Sequence, residues 1–241
     1  MITKNQIKFV KSLHYKKYRE IHRLFIVETI KNIKELIDSK YIIKRLYVLS
    51  DCNEFNHLDT EIFYIKHSEM CRISCLKSPS KVLAVVHYPK EIKSNFRGIT
   101  IALDNIRDPG NLGTIIRNCD WFGVTDIIIS ENSVDIYNSK VVQSTMGSFF
   151  RVNVKYVNLP KTLNDLQKNY KIYATTLDGE NINVTNISKN SIIIFGNESN
   201  GISENVLKYA NNKVTIFSKG NAESLNIASA NAIILYNCFN Y

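Results

Sequence analysis

Glycine is missing from the first 97 residues of this 241-residue chain, and all nine glycines lie at Gly98 or later. This shift in composition is the clearest sign that the chain has two domains. The polar stretch at residues 88–97 carries a proline and several charges, which suits a linker. We therefore predict one domain at residues 1–95 and a second at residues 98–241.

Paired cysteines and long apolar runs are also missing. The five cysteines form an odd set without a C-x-x-C pair, and no signal-like apolar segment precedes them. This predicts reduced thiols and a cytoplasmic protein. The longest apolar runs are far shorter than the ~20 residues that a membrane span requires, so we predict a soluble protein without a membrane partner.

Histidine does not occur after His87, and the sequence contains neither a G-x-G-x-x-G fingerprint nor a G-x-x-x-x-G-K-[ST] phosphate loop. The sequence therefore argues against a histidine-based hydrolytic triad in the second half of the chain. No group of residues has metal-ligand spacing, so we predict that the protein uses no metal.

Positive charge is concentrated at the N-terminus. The formal net charge is +9, and residues 1–50 alone carry twelve lysines and arginines against four acidic residues, or +8. Such a basic face requires a polyanion or an anionic surface as its partner. A small-molecule enzyme, which needs no such face, is disfavoured.

The second half alternates short apolar runs with helical patterns, which predicts an α/β domain with a mostly parallel sheet and helices on both faces. The first half is predicted to be a smaller α/β unit that opens with a basic helical segment. Ligands bind such parallel sheets in the loops that follow the carboxyl ends of strands, so the residues that carry the chemistry are expected in those loops.

The first such loop, at residues 104–118, contains a Pro109-Gly110 turn. Asn111 is a good helix N-cap, and Arg117 lies nearly two helical turns further on an otherwise apolar stretch. From the residues alone, Arg117 could equally be a helix arginine that pairs with Asp120.

Two later loops also combine glycine with polar groups. Gly196-Asn197-Glu198-Ser199-Asn200-Gly201 follows a buried strand, and its glycines allow the backbone to approach a ligand closely. A plain turn with a solvated Glu198 is the alternative. In the third loop, Ser224 and Asn226 precede the last helix, and Ser224 could simply cap that helix.

Taken together and in order, three segments resemble the motifs of the SpoU family of RNA ribose 2′-O-methyltransferases. They are N-x-x-D-P-G-N-L-G-T-I-I-R at residues 105–117, G-N-E-S-N-G at residues 196–201 and S-L-N-I-A at residues 224–228. Upstream, residues 16–19, 25–28 and 78–86 resemble the family's accessory substrate-binding domain, which has a ribosomal-protein-like α/β fold. The family's usual glycine after the glutamate is Thr29 here.

The resemblance implies a C-terminal trefoil knot whose loops hold S-adenosylmethionine. The implied cofactor-binding residues are Thr175, Leu177, Gly196, Asn197, Gly201, Ile216 and Leu225. The family commonly has proline and methionine after the equivalent of Ile216, whereas Phe217 and Ser218 follow here.

The resemblance also implies a homodimer through the C-terminal domain. The last helix, at residues 225–236, is apolar nearly all round and fits either a partner surface or burial within one subunit.

The resemblance further implies five residues around the reacting centre: Asn111, Arg117, Glu198, Ser224 and Asn226. Because the pKa of arginine exceeds ~12, Arg117 is a poor general base. We expect it to bind the adjacent phosphate and stabilise the developing alkoxide, while the proton leaves to the phosphate or to water. Glu198 would orient Arg117 or the ribose, and Ser224 and Asn226 would hydrogen-bond to ribose, cofactor or loop backbone.

The RNA contacts are expected at the basic N-terminus, where tyrosines lie among the cations and could stack on unpaired bases. The predicted contacts are Lys11, Lys16, Lys17, Arg19 and Arg23. A solvated basic helix with partly buried tyrosines is the alternative. The accessory domain favours ribosomal over transfer RNA as the substrate. A catalytically silent RNA-binding or assembly factor with the same fold is the competing function.

Overall fold

The computed structural model describes residues 2–90 and 96–239, so residues 91–95 of the predicted linker lie outside the described residues. The chain divides into two compact units. The first contains Met1–Glu91 together with Asp135–Phe150, and the second contains Ile92–Val134 and Arg151–Tyr241. A later segment of the chain thus belongs to the first unit, which no local pattern had indicated.

The first unit is built on a mixed four-stranded sheet. Its elements up to residue 90 are α1 (Lys4–Ser12), α2 (Lys16–His22), β1 (Leu24–Glu28), α3 (Ile30–Ile37), β2 (Ile43–Leu49), β3 (Ile62–Ile65), α4 (His67–Ile73) and β4 (Val82–His87). The strand order is β1-β4-β2-β3, with β4 antiparallel to both neighbours and β2 parallel to β3. The basic opening that the sequence predicted as one helical segment is therefore two helices.

The second unit is built on a six-stranded parallel sheet. From residue 96 the elements are β5 (Ile99–Leu103), α5 (Pro109–Trp121), β6 (Asp126–Ser130), α6 (Ser139–Ser144), β7 (Asn153–Val157), α7 (Leu159–Leu166), β8 (Lys171–Asn181), β9 (Ser191–Phe195), α8 (Glu204–Leu207), β10 (Asn212–Thr215) and α9 (Ile227–Cys238). The order is β10-β8-β9-β5-β6-β7, and every neighbouring pair is parallel. The helix α6 belongs to the first unit. The predicted α/β fold class is confirmed.

The central strands of the parallel sheet are buried along their whole length, since all five residues of both β5 and β9 are buried. Helices α7 and α8 cover one face, where Leu163 and Val206 pack in a cluster with Ile172 and Ile194. Strands that are covered on both faces have near-continuous apolar sequences. This burial explains the short apolar runs that predicted strands in the second half of the chain.

A buried ion pair joins the segment Asp135–Phe150 to the rest of the first unit. Arg19 of α2 is 3% exposed, and its Nη2 lies 2.6 Å from Oδ2 of Asp135. Its Nη1 donates to the carbonyl oxygens of Leu13 and His14. With its guanidinium occupied in this way, Arg19 is unavailable to a phosphate, and we remove it from the predicted RNA contacts.

Glu28 closes β1 as a second buried charged residue. Its carboxylate accepts hydrogen bonds from the Ser74 hydroxyl and, at 2.8 Å, from the Cys75 backbone N–H. Burial raises the pKa of the Glu28 carboxyl, and the hydrogen bonds oppose that shift. The end of β1 is thereby fixed to the segment that follows α4.

Thr29, which stands where the family has glycine, adopts φ +80°. Its hydroxyl accepts a 3.3 Å hydrogen bond from the Asn32 N–H and caps α3. A β-branched residue at such a φ costs on the order of 1–3 kcal/mol, whereas replacing a capping threonine by glycine costs only a few tenths. We expect Thr29→Gly to raise the free energy of unfolding by about 1 kcal/mol in chemical denaturation.

Thr29→Ala is the matched control, because it removes the cap and keeps the strain. It should lower the free energy of unfolding by about 1 kcal/mol. If Thr29→Gly destabilised the protein as much as Thr29→Ala, the capping bond would outweigh the strain and this account of the turn would be wrong.

Candidate active site

The three loops singled out from the sequence follow β5, β9 and β10. These strands belong to one parallel sheet, so their carboxyl ends lie along one edge. The residues that the resemblance implied as catalytic are carried by these loops and by the helices that follow them.

A chain of hydrogen bonds connects the three motifs. The Asn226 side-chain amide donates to the Asn111 Oδ1 at 2.9 Å, and the Asn111 amide donates to the Glu198 Oε1 at 2.7 Å. Asn226 and Glu198 are exposed and Asn111 is half-buried. Three of the five implied catalytic residues thus form one polar cluster that remains open to a ligand.

The helix caps differ from the sequence prediction. Asp108, not Asn111, caps α5, because its carboxylate accepts from the Asn111 N–H at 2.8 Å. Asn111 lies in the first turn, which frees its side chain for the polar cluster. Asn226, not Ser224, caps α9, since it accepts from the N–H groups of Ala228 and Ser229.

Ser224 and Arg117 do not join this cluster. Ser224 is exposed and forms no hydrogen bond with the part of the chain that the structure describes. Arg117 is also exposed on α5, and its side chain forms no hydrogen bond or ion pair with residues 2–90 or 96–239. The alternative pairing of Arg117 with Asp120 does not occur, because Asp120 binds Arg151 at 2.8 Å.

Asp104, which sequence reasoning passed over, holds the second loop in place. Its buried carboxylate accepts from both the N–H, at 2.9 Å, and the hydroxyl, at 2.6 Å, of Ser203. At the other end of the loop, the Asn197 amide donates to the Asn105 carbonyl at 2.8 Å. The available signal was an aspartate directly after a buried strand, where a charged side chain needs partners.

Gly196 lies where the two ends of the loop at residues 196–201 approach each other closely. Asn197 and Gly201 pair through two 2.9 Å backbone hydrogen bonds. A Cβ atom on Gly196 would collide with the carbonyl carbon of Gly201 and with the nitrogen of Ile202. Only glycine fits this close backbone approach.

The implied cofactor residues lie along the same edge. Thr175 donates to the Ile194 carbonyl at 2.9 Å, so its hydroxyl is held within the sheet. Strand β8 continues past Thr175 and ends at Asn181. Its register with β10 jumps between Ala174 and Glu180, and Leu177, within this irregularity, is exposed.

Three apolar side chains at this edge are exposed to solvent: Leu177, Phe217 and Leu225. Ile216, between the last strand and Phe217, is half-buried. In residues 2–90 and 96–239, no group of three or more His, Cys, Asp or Glu side chains could hold a metal ion. No helix in the same ranges is long and apolar enough to cross a bilayer.

The remaining predicted RNA contacts, Lys11, Lys16, Lys17 and Arg23, are exposed on the first unit. Lys16 forms a 3.7 Å ion pair with Glu20, and the Arg23 guanidinium lies 4.6 Å from the centre of the Tyr88 ring. Exposed pairs of this kind are weak and leave both cations able to meet a phosphate.

Two family models match the chain. The SpoU rRNA Methylase family model matches residues 98–236, and the MRM3-like substrate binding domain model matches residues 4–84. The chain therefore belongs to the SpoU rRNA methylase family, which confirms the resemblance seen in the three motifs.

Relatives match along nearly the whole chain. The 23S rRNA (guanosine(2553)-2′-O)-methyltransferase RlmP of Bacillus subtilis is 31% identical over 97% of this chain and 96% of its own. A putative RNA methyltransferase of the TrmH family from Porphyromonas gingivalis superposes with a TM-score of 0.89 at 32% identity, over 99% of this chain and 98% of its own. The AdoMet-bound rRNA methyltransferase from Sinorhizobium meliloti has a TM-score of 0.87 at 25% identity, over 99% and 95%.

Proposed function

We propose that this protein transfers a methyl group from S-adenosylmethionine to the 2′-hydroxyl of a ribose in ribosomal RNA. The chain is an RNA ribose 2′-O-methyltransferase of the SpoU type. The observation that carries the proposal is the hydrogen-bonded chain from Asn226 through Asn111 to Glu198, which joins all three family motifs. The relative that matches both units acts on 23S rRNA, which supports ribosomal over transfer RNA.

The carboxyl edge of the sheet suits S-adenosylmethionine. The exposed Leu177, Phe217 and Leu225 offer apolar surface for an adenine ring, and the loop between Gly196 and Gly201 offers backbone groups at close range. Phe217 replaces the family's usual proline at this edge and can supply an aromatic face. When bound, the cofactor supplies an activated methyl group on a sulfonium.

Methyl transfer is an in-line displacement, so the protein must mainly position the ribose oxygen. Asn111 and Asn226 present amide groups on one exposed cluster and orient the ribose. Glu198 accepts from Asn111 and so fixes the direction of that amide. Arg117 binds the neighbouring phosphate and stabilises the developing alkoxide, while the hydroxyl proton leaves to that phosphate or to water.

Arg117 serves the active site of a second copy in this proposal. At 3.6 residues per turn, Arg117 and Asn111 lie about 120° apart around α5, so they do not share a face. Arg117 and Trp121 are four residues apart and do share one. Trp121 is 84% exposed, which is unusual for so large an apolar side chain.

Helix α5, which carries Trp121, packs against α9. Asn118 of α5 donates to the Ala228 carbonyl at 2.9 Å, and the Phe122 and Phe239 rings stack at 6.2 Å. Ile233 and Tyr236 of α9 are exposed as well. We infer a homodimer through exposed apolar side chains of α5 and α9, which places Arg117 beside the partner.

Trp121→Glu should convert the dimer to a monomer and remove most of the methyl transfer, because a buried unpaired carboxylate opposes association. Size-exclusion chromatography with light scattering at micromolar concentration measures the first effect. Val184→Glu, at another highly exposed apolar position of the same unit, is the control and should change neither the oligomeric state nor the methyl transfer. A wild-type monomer with full activity would rule out the interface and the cross-subunit role of Arg117.

The function is tested by mapping 2′-O-methyl groups on total RNA from a strain that lacks the gene. We expect one ribosomal RNA position to lose its methyl group and to regain it with the wild-type gene but not with Arg117→Ala. If a transfer RNA position lost its methyl group instead, transfer RNA would be the substrate and not ribosomal RNA. If no position changed and calorimetry detected no S-adenosylmethionine binding, the silent assembly factor would be the better hypothesis.

The cytoplasm is the compartment that suits an RNA substrate.

We assign the main RNA affinity to the first unit and the chemistry to the second. Deleting the first 97 residues is a poor test of this assignment. Such a chain would retain Asp135–Phe150 and expose Tyr137 and Phe149, which pack against Phe25 at 5.0 and 5.5 Å. The trefoil knot implied by the resemblance stays a prediction.

A further inference from the structure

A cleft of about 720 Å³ opens on the first unit, beside α1, α2 and α4, and the reaction does not use it. Four cations line it: Lys4, Lys8, Lys11 and Arg72. None of the described residues that line the cleft is acidic. All four cations are exposed, so the cleft attracts a polyanion without losing its charge to internal ion pairs.

Aromatic rings line the same cleft. Tyr15 is 67% exposed and Tyr18 is 40% exposed, although both are large side chains that folding usually covers. Between the helices, the Phe9 and His22 rings also line the cleft and meet edge to face at 5.1 Å. Tyrosine faces that remain open beside cations are suited to stacking on unpaired bases while the cations bind the flanking phosphates.

The gap between the two helices creates this arrangement. Helix α1 ends at Ser12 and α2 begins at Lys16, and Leu13 between them is buried in the core. Tyr15 is the extended residue just before α2, where its ring projects without packing into the core. A continuous helix would not leave Tyr15 in that conformation.

We propose that this cleft is a nucleotide-binding site that holds an unpaired nucleotide of the substrate RNA, separate from the nucleotide that is methylated. The inference rests on the proposed function and adds the part of the substrate that the first unit recognises. Its volume lies within the range of about 300–1,000 Å³ typical of small-ligand pockets, so one nucleotide fits. A base within a duplex cannot offer its face to Tyr15, so the site selects single-stranded or bulged RNA.

The test uses the full-length protein and fluorescence anisotropy with three probes. These are a short single-stranded oligoadenylate, a blunt-ended RNA duplex with the same number of phosphates, and a polyglutamate peptide of similar charge. We expect the oligoadenylate to bind about tenfold more tightly than the duplex, because the bases within a duplex cannot stack on the tyrosines. The peptide should bind more weakly than either RNA.

Substitutions separate stacking from charge. Tyr15→Ala and Tyr18→Ala should each weaken oligoadenylate binding about tenfold, whereas Tyr15→Phe and Tyr18→Phe should retain it. Lys8→Ala should reduce the slope of log affinity against log salt by about 0.7, and Lys31→Ala, at an exposed lysine of α3 outside the cleft, should not. All of these residues are exposed, so the variants should fold.

Equal binding of single strand and duplex, unchanged binding after both tyrosine-to-alanine substitutions, or tightest binding of the peptide would each overturn the cleft assignment. Methylation of total RNA by the same variants distinguishes this failure from failure of the function. If the wild type methylates RNA while the tyrosine variants bind normally, only the cleft assignment is wrong. If no RNA is methylated but binding follows the tyrosines, the cleft stands and the proposed function fails.

Discussion

Arg117→Ala should lower single-turnover methyl transfer by about 10²–10³-fold while cofactor affinity and stability stay within about twofold and about 0.5 kcal/mol. The side chain is exposed and forms no hydrogen bond or ion pair with the described residues, so its loss removes no contact that holds the fold. Its proposed partner is a phosphate, present only when RNA is bound. Radiolabelled methyl transfer, calorimetry and chemical denaturation measure the three quantities.

Two variants sharpen this result. Arg117→Lys keeps the charge but loses the two-pronged geometry, so we expect an intermediate rate. Arg107→Ala removes an exposed arginine from the same loop and should leave the rate nearly unchanged. Near-normal turnover in Arg117→Ala would show that the arginine is not part of the reacting centre.

The proximity of the three loops could be predicted because its signals are local. Alternating strand and helix patterns indicate a parallel sheet, and such a sheet brings the carboxyl ends of β5, β9 and β10 to one edge. The three loops that follow these strands therefore had to be neighbours. The meeting of Asn111, Glu198 and Asn226 came from the resemblance, since spacing alone does not identify hydrogen-bond partners.

The wrong predictions involve choices that the local sequence leaves open. Both Asp108 and Asn111 are good helix caps, and which of them caps α5 depends on the path of the chain after β5. Arg19 looked like its basic neighbours, and its burial depends on Asp135, which lies 116 residues away. The same distance hid the membership of Asp135–Phe150 in the first unit. Side-chain periodicity contains no information about partners so far apart.

Gly196→Ala should have the largest effect on the fold of the second unit. The added methyl group would meet the backbone of Gly201 and Ile202, not the tip of a flexible side chain, so a small rotation cannot remove the clash. The paired backbone of Asn197 and Gly201 would have to open, and Glu198 would move away from Asn111 with it. We expect a loss of about 3 kcal/mol or more in the free energy of unfolding and no measurable S-adenosylmethionine binding.

Two other glycines of the same unit separate the steric clash from other effects of the substitution. Gly220→Ala, in the third loop, has nothing within 4 Å of the added carbon and should change the free energy of unfolding by less than about 0.5 kcal/mol. Gly201→Ala also has open space but a φ of +66°, so it should cost about 1 kcal/mol through backbone strain alone. Chemical denaturation of the three variants should therefore rank Gly196 far above Gly201 and Gly201 above Gly220. Equal effects at Gly196 and Gly201 would mean that the loop can open without cost, and the close backbone approach would then not be what shapes the cofactor site.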